Sequence, residues 1–348
     1  MTIPRTVDDI TPAWLSDALG RTVTRVTAEP VGVGVGLVGQ LFRLRLECDG
    51  DPKTMVAKLA APTDDGRFVA TVLNMYGREV GFYTELSPRT SIAHPDCYYA
   101  AHDPVTQDSA LLLEDVSTRG RGGDQVTGSS LEEARPAIRT LARLHACFWD
   151  DPSLKDAPFV LRLADDPYPA AVGMAYDVAW PQVQEYFADM IDDRIREFGD
   201  RYSSSIPAMF ARLCDGPLVL SHADWRLDNL FFTDGDDVIA VDWQLIDQSV
   251  GPRDLSYHVT QSVNIDEPRG YEVAFDTYVS DLADLGVEVD RSWAWEMYRY
   301  GTMLGFVYPV IATGALTIDD PRHVELTRAL FRRSLAALDA LDAFTLPL

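Results

Sequence analysis

The sequence predicts an α+β fold with two lobes, a small N-terminal lobe built on an antiparallel sheet and a larger helical C-terminal lobe. The N-terminal third contains short alternating segments typical of strands, whereas the chain after Ser130 is dominated by amphipathic helical patterns. With 348 residues the chain is long enough for two lobes and a large core. We therefore assign residues 1–115 to the N-terminal lobe and residues 116–348 to the helical lobe.

The N-terminal lobe is expected to begin with one short helix. In TPAWLSDALG, Thr11 is a suitable N-cap, Pro12 suits the first helical position and Gly20 marks the end. Strands are then predicted in the segments RVTAEPVG, QLFRLRLEC, TMVAKLAAP, CYYAAHD and SALLLEDV. Between the third and fourth strands, apolar residues at helical spacing predict one helix over RFVATVLNMYGREVGFYTEL.

The C-terminal lobe begins just before a glycine-rich segment, RGRGGDQVTGSS, which we expect to be a loop. An amphipathic helix then begins at a capping box formed by Ser130 and Glu133. Further helices are predicted at 178–200 and 203–214, and in the segments YEVAFDTYVSDLADLG, RSWAWEMYRYGTMLGFVYPVIAT and HVELTRALFRRSLAALDALDAF.

Composition excludes several classes of function. The net charge of −24 disfavours binding to nucleic acid, whose phosphates would be repelled, and to anionic membranes. The four cysteines form no C-x-x-C pair, so neither a zinc site nor a disulfide framework is indicated. The N-terminus lacks a signal-peptide pattern, and no apolar run approaches the roughly 18 residues that span a bilayer. We expect a cytoplasmic protein, monomeric or homodimeric.

A glycine run, GVGLVG, places Gly34, Gly36 and Gly39 in the pattern G-x-G-x-x-G. In a dinucleotide-binding fold this pattern opens a helix, but here an alternating strand follows it. The arrangement favours a glycine-rich hairpin that covers ATP phosphates, where backbone must approach the ligand without a Cβ in the way. A flexible hairpin turn without a ligand is the alternative.

Lys58 lies inside an apolar strand, in a chain that uses lysine at only three positions. A buried ammonium needs a partner, and in kinases a lysine at this place pairs the α- and β-phosphates and is held by a helix glutamate. Glu79 on the following helix is the candidate partner, although Glu85 lies on the same helix. An exposed lysine on an edge strand is the alternative. We expect the nucleotide to be the main partner, so that Lys58→Arg would lose most activity but change stability little without ATP.

The segment HADWRLDN, residues 222–229, combines many polar groups between two apolar runs, and Asp242 follows in VIAVDWQ. Its order matches the kinase pattern H-R-D-x-x-x-x-N followed by D-F-G. With LLLEDV, LARLHACFW and GPRDLSYHV, the chain resembles the aminoglycoside phosphotransferase and choline kinase-like superfamily, particularly its ecdysteroid kinase-like branch. The resemblance covers nearly the whole chain and implies a protein kinase-like fold.

This resemblance implies a kinase that uses ATP and magnesium (Mg2+) to phosphorylate a small molecule. Asp224 would take or orient the proton of the acceptor hydroxyl. Asn229 and Asp242 offer the hard oxygen ligands that magnesium prefers. Arg226 would contact the γ-phosphate, and His222 would support the loop by hydrogen bonding rather than act as a base.

Two further residues have places in the family pattern. Glu114 falls where the lobe hinge offers backbone groups to adenine, and Asp254 matches a structural aspartate after the metal loop. The motif DWQ lacks the glycine of D-F-G, which argues against a movable protein-kinase switch. The chain also lacks an A-P-E segment, so a small hydroxylated acceptor is favoured over a protein substrate.

Alternatives to this function stay open. A nucleotide-binding module without turnover would have the same fold, and a metal-dependent hydrolase is less favoured because H-x-H and H-E-x-x-H are both absent from the sequence. The acceptor is not determined. The aromatic stretch 293–309 could line an acceptor cleft or simply form core between helices.

Overall fold

The computed structural model describes residues 1–31, 38–314 and 320–347. The chain divides into two compact units, the first formed by Met1–Gly120 with Ile239–Leu245 and the second by Arg121–Val238 with Ile246–Leu348. The sequence placed the boundary at residue 115 and gave no indication that Ile239–Leu245 belongs to the first unit. This returning segment carries Asp242, so the first unit holds part of the C-terminal motif.

The first unit is built on a five-stranded antiparallel sheet in the order β1–β2–β3–β5–β4. Its strands are β1 (Val23–Pro30), β2 (Gly39–Cys48), β3 (Thr54–Ala60), β4 (Cys97–His102) and β5 (Ser109–Glu114). All five strands predicted from the sequence are present. Lys58 is paired with Leu41 on one side and Leu111 on the other, so it lies on a central strand rather than on an edge.

Three helices accompany this sheet: α1 (Pro12–Leu19), α2 (Asp64–Val72) and α3 (Met75–Gly81), the last continuing as a π-helical turn over Phe82–Leu86. The prediction of one long helix after β3 was wrong, because the chain breaks at Asn74. This residue has a φ of 50°, a left-handed conformation that asparagine adopts more readily than most residues. The break lets α3 take its own direction and carry Glu79.

The second unit is mainly helical. Its helices are α4 (Leu131–Cys147), α5 (Tyr168–Tyr186), α6 (Asp193–Arg212), α7 (Gly251–Ser262), α8 (Arg269–Asp284), α9 (Arg291–Gly305), α10 (Val307–Gly314) and α11 (Pro321–Ala340). The capping box predicted at the start of α4 is present, since the Ser130 side chain accepts from the Glu133 N–H at 3.3 Å.

Two helix boundaries in this unit differ from the prediction. The break expected near residue 201 lies instead before α6, where the Asp192 carboxylate caps the helix by accepting from the Ile195 N–H at 2.8 Å. The single helix predicted from Arg291 onwards is two, α9 and α10. In the aromatic stretch 293–309, the rings of Tyr298, Tyr300 and Phe306 are buried, as expected of a packing core, whereas those of Trp293, Trp295 and Tyr308 are partly exposed.

Short strands frame the motif loops: β6 (Arg121–Gly122), β7 (Val219–Ser221), β8 (Leu230–Phe232), β9 (Val238–Ala240) and β10 (Asp247–Ser249). In the second unit β7 pairs with β10 and β6 pairs with β8, all antiparallel. The segment 222–229 therefore connects β7 to β8. Trp225 anchors it, being fully buried with its Nε1 donating to the Ala137 carbonyl at 3.2 Å. Among the helices described, each is too short or too polar to cross a membrane.

Candidate active site

Lys58 is the centre of a buried charge cluster in the first unit. Its Nζ lies 2.7 Å from Glu79 Oε2 and 2.6 Å from Asp242 Oδ1. The side chains of Lys58 and Glu79 are 12% and 3% exposed, and that of Asp242 is 25% exposed. The predicted Lys58–Glu79 pair is present. Asp242 contacts the ammonium as well, so Lys58 has two carboxylate partners within the protein, and its contact with a nucleotide stays a prediction.

Electrostatics keep this lysine charged. Burial disfavours the ammonium, but Asp242 and Glu79 outweigh that cost and raise the pKa of Lys58 above its ordinary value. Burial, together with the charge of Asp242, raises the pKa of Glu79 although Lys58 opposes the shift. One compact cation therefore holds two carboxylates that would otherwise repel each other.

The loop after β9 holds Asp242 in a fixed position. Asp242 has a φ of 67°, in the left-handed region. The next residue, Trp243, is fully buried and stacks on Phe82 with ring centroids 3.7 Å apart and planes 5° from parallel. Its indole Nε1 donates to the Ala240 carbonyl at 3.1 Å, and its backbone N–H donates to Glu79. The helix that carries Glu79 and the loop that carries Asp242 are thus joined directly.

The glycine run is described only in part, since Gly34 and Gly36 lie outside the described residues. Gly39 begins β2, and a Cβ added there would lie 3.2 Å from the Leu59 carbonyl oxygen and 3.7 Å from Lys58 Cε. Just before it, the Val38 carbonyl accepts from the Tyr76 hydroxyl at 3.0 Å. This end of the run is therefore tied to α3 and lies beside Lys58.

Glu114 ends β5, and its side chain is engaged locally. Its carboxylate pairs with Arg119 at 2.7 Å and accepts from the Asp96 N–H at 3.2 Å. The neighbouring Asp115 pairs with Arg43 on β2 at 2.7 Å. Burial opposes ionisation of Asp115, but Arg43 and Ser117 hold its pKa below the ordinary value. These side chains fix the segment after β5, and the contact of its backbone with adenine stays a prediction.

Asp224 lies in the second unit at the centre of a hydrogen-bonded group. Its Oδ1 accepts from the Tyr257 hydroxyl at 2.6 Å, and its Oδ2 accepts from Asn229 Nδ2 at 2.8 Å. Arg226 Nε lies 3.1 and 3.2 Å from the two oxygens. With its amide nitrogen directed at Asp224, Asn229 keeps its amide oxygen as the atom that could bind a cation. Sequence reasoning missed Tyr257. It lies in the segment GPRDLSYHV, but no motif places a tyrosine at a fixed spacing from Asp224.

Arg226 does not extend freely from the loop. Besides Asp224, its guanidinium contacts Asp228 at 3.1 Å and the Gln125 side-chain oxygen at 3.3 Å. Asp228 also accepts from the Gln125 N–H at 2.7 Å, so it is a bridging residue rather than a solvated one. The expected contact of Arg226 with a γ-phosphate stays a prediction.

His222 and Asp254 support the loop 222–229 by hydrogen bonds to its backbone. The His222 ring accepts from the Asp224 N–H at 3.3 Å, which is the supporting role expected of it. Asp254 accepts from the backbone N–H groups of His222 at 2.7 Å and Ala223 at 3.1 Å. Burial disfavours the Asp254 anion, but hydrogen bonding to His145 and nearby positive charge keep its pKa below the ordinary value. Asp254 thereby stabilises Ala223 at a φ of 64°, a strained conformation for alanine.

The glycine-rich segment before α4 supports the same loop, which the sequence did not reveal. Gly123 N–H donates to the Leu230 carbonyl at 2.9 Å. A Cβ added at Gly123 would lie 2.5 Å from the Leu227 carbonyl oxygen, so only glycine allows this approach. From α11, Arg333 donates to the carbonyl oxygens of Gln125 at 2.7 Å and Val126 at 3.1 Å. The glycine-rich segment therefore supports residues 226–230, and we call it the brace of this loop.

The candidate metal ligands supply an amide oxygen from Asn229 and a carboxylate from Asp242. Both are hard oxygen donors of the kind that magnesium takes. Within the described ranges, no group of three or more His, Cys, Asp or Glu could hold a metal ion by itself.

Two family profiles match overlapping parts of the chain between residues 34 and 253. The profile of the Ecdysteroid kinase-like family matches residues 34–150, and that of the Phosphotransferase enzyme family matches residues 119–253. These matches confirm the resemblance to the aminoglycoside phosphotransferase and choline kinase-like superfamily and to its ecdysteroid kinase-like branch. Among curated proteins no match was found.

Solved structures confirm the predicted fold class. The chain is similar to choline kinase from Cryptosporidium parvum Iowa II, with a TM-score of 0.58, 12% identity and coverage of 96% of this chain and 94% of that one. It is also similar to macrolide 2'-phosphotransferase from Brachybacterium faecium, with a TM-score of 0.51, 20% identity and coverage of 96% and 97%. An amicoumacin kinase in complex with AMP-PNP and Ca²⁺ matches with a TM-score of 0.56 and 13% identity over 93% of each chain. At these identities the similarity shows the fold alone.

Proposed function

We propose that this chain, which matches an ecdysteroid kinase-like family over residues 34–150 and a phosphotransferase family over residues 119–253, is an ATP-dependent kinase that transfers the γ-phosphate to a hydroxyl group of a small molecule. The observation that carries the proposal is the cluster of Lys58, Glu79 and Asp242. A buried lysine on a central strand contacts both the helix glutamate and the metal-loop aspartate that the motif order assigns to phosphate and metal binding.

The residues of the first unit are suited to bind the nucleotide. Lys58 presents a charged ammonium, held by Glu79, to phosphate oxygens. Asp242 offers a partly exposed carboxylate to magnesium, which would neutralise charge on the transferred phosphoryl group. We assign adenine recognition to backbone groups near Glu114, whose own side chain is paired with Arg119.

The residues of the second unit are suited to prepare the acceptor. Asp224 is kept as an acceptor of hydrogen bonds by Tyr257, Asn229 and Arg226, so that it can orient a hydroxyl and receive its proton. Asn229 offers its amide oxygen to a metal. The solved relatives act on choline, macrolides and amicoumacin by their names, and we propose an uncharged hydroxylated metabolite or antibiotic as the acceptor class here.

The test is an acceptor screen that measures ATP consumption and phosphorylated product in the presence of magnesium. The panel contains choline, ethanolamine, aminoglycosides, macrolides, sugars and steroid alcohols. Asp224→Asn serves as the control, since removal of a general base lowers turnover by about 10²–10⁴-fold. Its affinity for ATP, followed by thermal shift, should stay within a factor of two of the original chain.

Three outcomes would contradict the proposal. A thermal shift with ATP and magnesium but no transfer to any acceptor would favour a nucleotide-binding module without turnover. Transfer that survives Asp224→Asn at a near-normal rate would remove Asp224 from the role of base. Hydrolysis that requires metal but no nucleotide would indicate the metal-dependent hydrolase instead.

A further inference from the structure

Tyr257 makes the shortest hydrogen bond to the Asp224 carboxylate, at 2.6 Å from Oδ1. It lies on α7, 33 residues beyond Asp224, and is 8% exposed. Burial, together with the charge of Asp224, raises the pKa of Tyr257, so that its hydroxyl stays protonated and acts as the donor. Hydrogen bonds from a hydroxyl to a carboxylate are among the strong ones in proteins.

The position of the Tyr257 ring is itself fixed by its neighbours. It packs edge-to-face against Tyr308, with ring centroids 4.6 Å apart. The Tyr308 hydroxyl accepts from Arg253 at 3.3 Å, and Arg253 forms a buried pair with Asp247 at 2.8 Å. Both members of that pair are at most 2% exposed. The phenol therefore has little freedom to move away from Asp224.

The other donors to Asp224 differ from Tyr257 in where they lie. Arg226 and Asn229 belong to the same loop as Asp224 and would shift with it. Tyr257 instead connects the carboxylate to a buried helix, whose residues Gly251–Ser262 are all buried. Rotation about the terminal torsion of an aspartate is otherwise soft, so an external donor is what defines its orientation.

We propose that Tyr257 is a positioning residue that fixes the Asp224 carboxylate for phosphoryl transfer. Its hydroxyl holds Oδ1 and thereby sets the plane of the carboxylate. In that plane Oδ2 contacts Asn229, and the carboxylate receives the acceptor hydroxyl. The role rests on the proposed function of Asp224 and assigns to α7 a part that the motif order does not indicate. Catalysis depends on such orientation, because a small displacement of a base costs much of the rate.

Tyr257→Phe tests the proposal, since it removes one oxygen and keeps the ring against Tyr308. Loss of a hydrogen bond to a charged group should lower kcat by about 10- to 100-fold. The KM for ATP and the KM for the acceptor should change less than about two-fold, because the lost contact orients a reacting group rather than binding substrate. Tyr176→Phe is the matched control: its buried hydroxyl donates to the Gly199 carbonyl at 2.9 Å, in the same unit but on α5.

The control separates positioning from general loss of stability. Tyr176→Phe should lower the unfolding temperature by a similar amount and leave kcat unchanged. Equal kcat in Tyr257→Phe and the original chain, or an equal fall in both variants, would overturn the proposal. If the original chain transfers phosphate to no acceptor, the proposed function fails, and a crystal structure of Tyr257→Phe still decides on positioning. Retention of the Asp224 side-chain orientation in that structure would overturn it, whereas a turned carboxylate would support it.

Discussion

Replacement of Lys58 by methionine isolates the energetic role of the buried cluster. Methionine keeps the length of the side chain and its apolar stem but removes the charge. The change leaves Glu79 and Asp242 without the cation that lies 2.7 and 2.6 Å from them. We expect a large loss of stability in the absence of nucleotide.

The structure sets the size of this effect. Glu79 is 3% exposed, so water cannot replace the lost partner, and removal of one member of a buried ion pair costs about 3–5 kcal/mol. Asp242 is 25% exposed and is partly screened, so its contribution is at the level of a surface pair, below about 1 kcal/mol. With about 2.1 cal/mol/K of unfolding entropy per residue, a loss of 3–5 kcal/mol corresponds to about 4–7 °C in Tm for this chain.

Thermal unfolding followed by circular dichroism at pH 7 measures the loss, and Glu79→Gln alone and in combination completes a double-mutant cycle. The double variant should recover part of the stability, because no buried carboxylate is left unpaired at position 79. Burial already raises the pKa of Glu79, and removal of Lys58 raises it further. The difference in stability between Lys58→Met and the original chain should therefore narrow as the pH falls through the pKa of Glu79, because protonation removes the unpaired charge. A fall of less than 1 °C in Tm, unchanged between pH 7 and pH 4, would refute the buried cluster.

The remaining predictions concern the metal ligands and the brace of the catalytic loop. Asp242→Ala should abolish magnesium-dependent transfer, whereas Asn229→Ala should keep it with a higher magnesium requirement, as measured by a magnesium titration of activity. Unchanged magnesium dependence in Asp242→Ala would contradict the assignment. Gly123→Ala should lower stability by about 1–3 kcal/mol and reduce activity, because its methyl would lie 2.5 Å from the Leu227 carbonyl oxygen. Gly122→Ala is its control, since a Cβ there has only an ordinary contact at 3.6 Å, and equal behaviour of the two variants would refute the brace.

Sequence reasoning was most successful where chemistry demands fixed residue types in a fixed order. A lysine in an apolar strand requires a partner, and the predicted Lys58–Glu79 pair is present. The strands of the first unit were predicted from short apolar segments, which alternate in β2 and β3 and form a continuous buried run in β5. His222 was likewise expected to support its loop by hydrogen bonding, and its ring accepts from the Asp224 N–H.

The missed features depend on distances across the fold that no local pattern encodes. The contact of Tyr257 with Asp224 requires α7 to lie against the loop in one particular rotation. Gly123 lies in a segment that was predicted only as a loop, whereas its lack of a Cβ lets the backbone approach the Leu227 carbonyl closely. The break at Asn74 was hidden because the apolar spacing continues through it. Helix patterns report burial, and they do not report a single residue in the left-handed region.

The stack of Trp243 on Phe82 bears on how this protein could be controlled. Protein kinases commonly switch by moving the metal aspartate together with its aromatic neighbour. Here such a movement would separate two rings 3.7 Å apart, break the indole hydrogen bond to Ala240 and detach Asp242 from Lys58. Each loss adds to the free-energy gap between the two states, and a gap of a few kcal/mol leaves the displaced state at a few per cent or less. Displacement of this loop is therefore disfavoured as a switch, and under the proposed function the rate would follow the concentrations of nucleotide and acceptor.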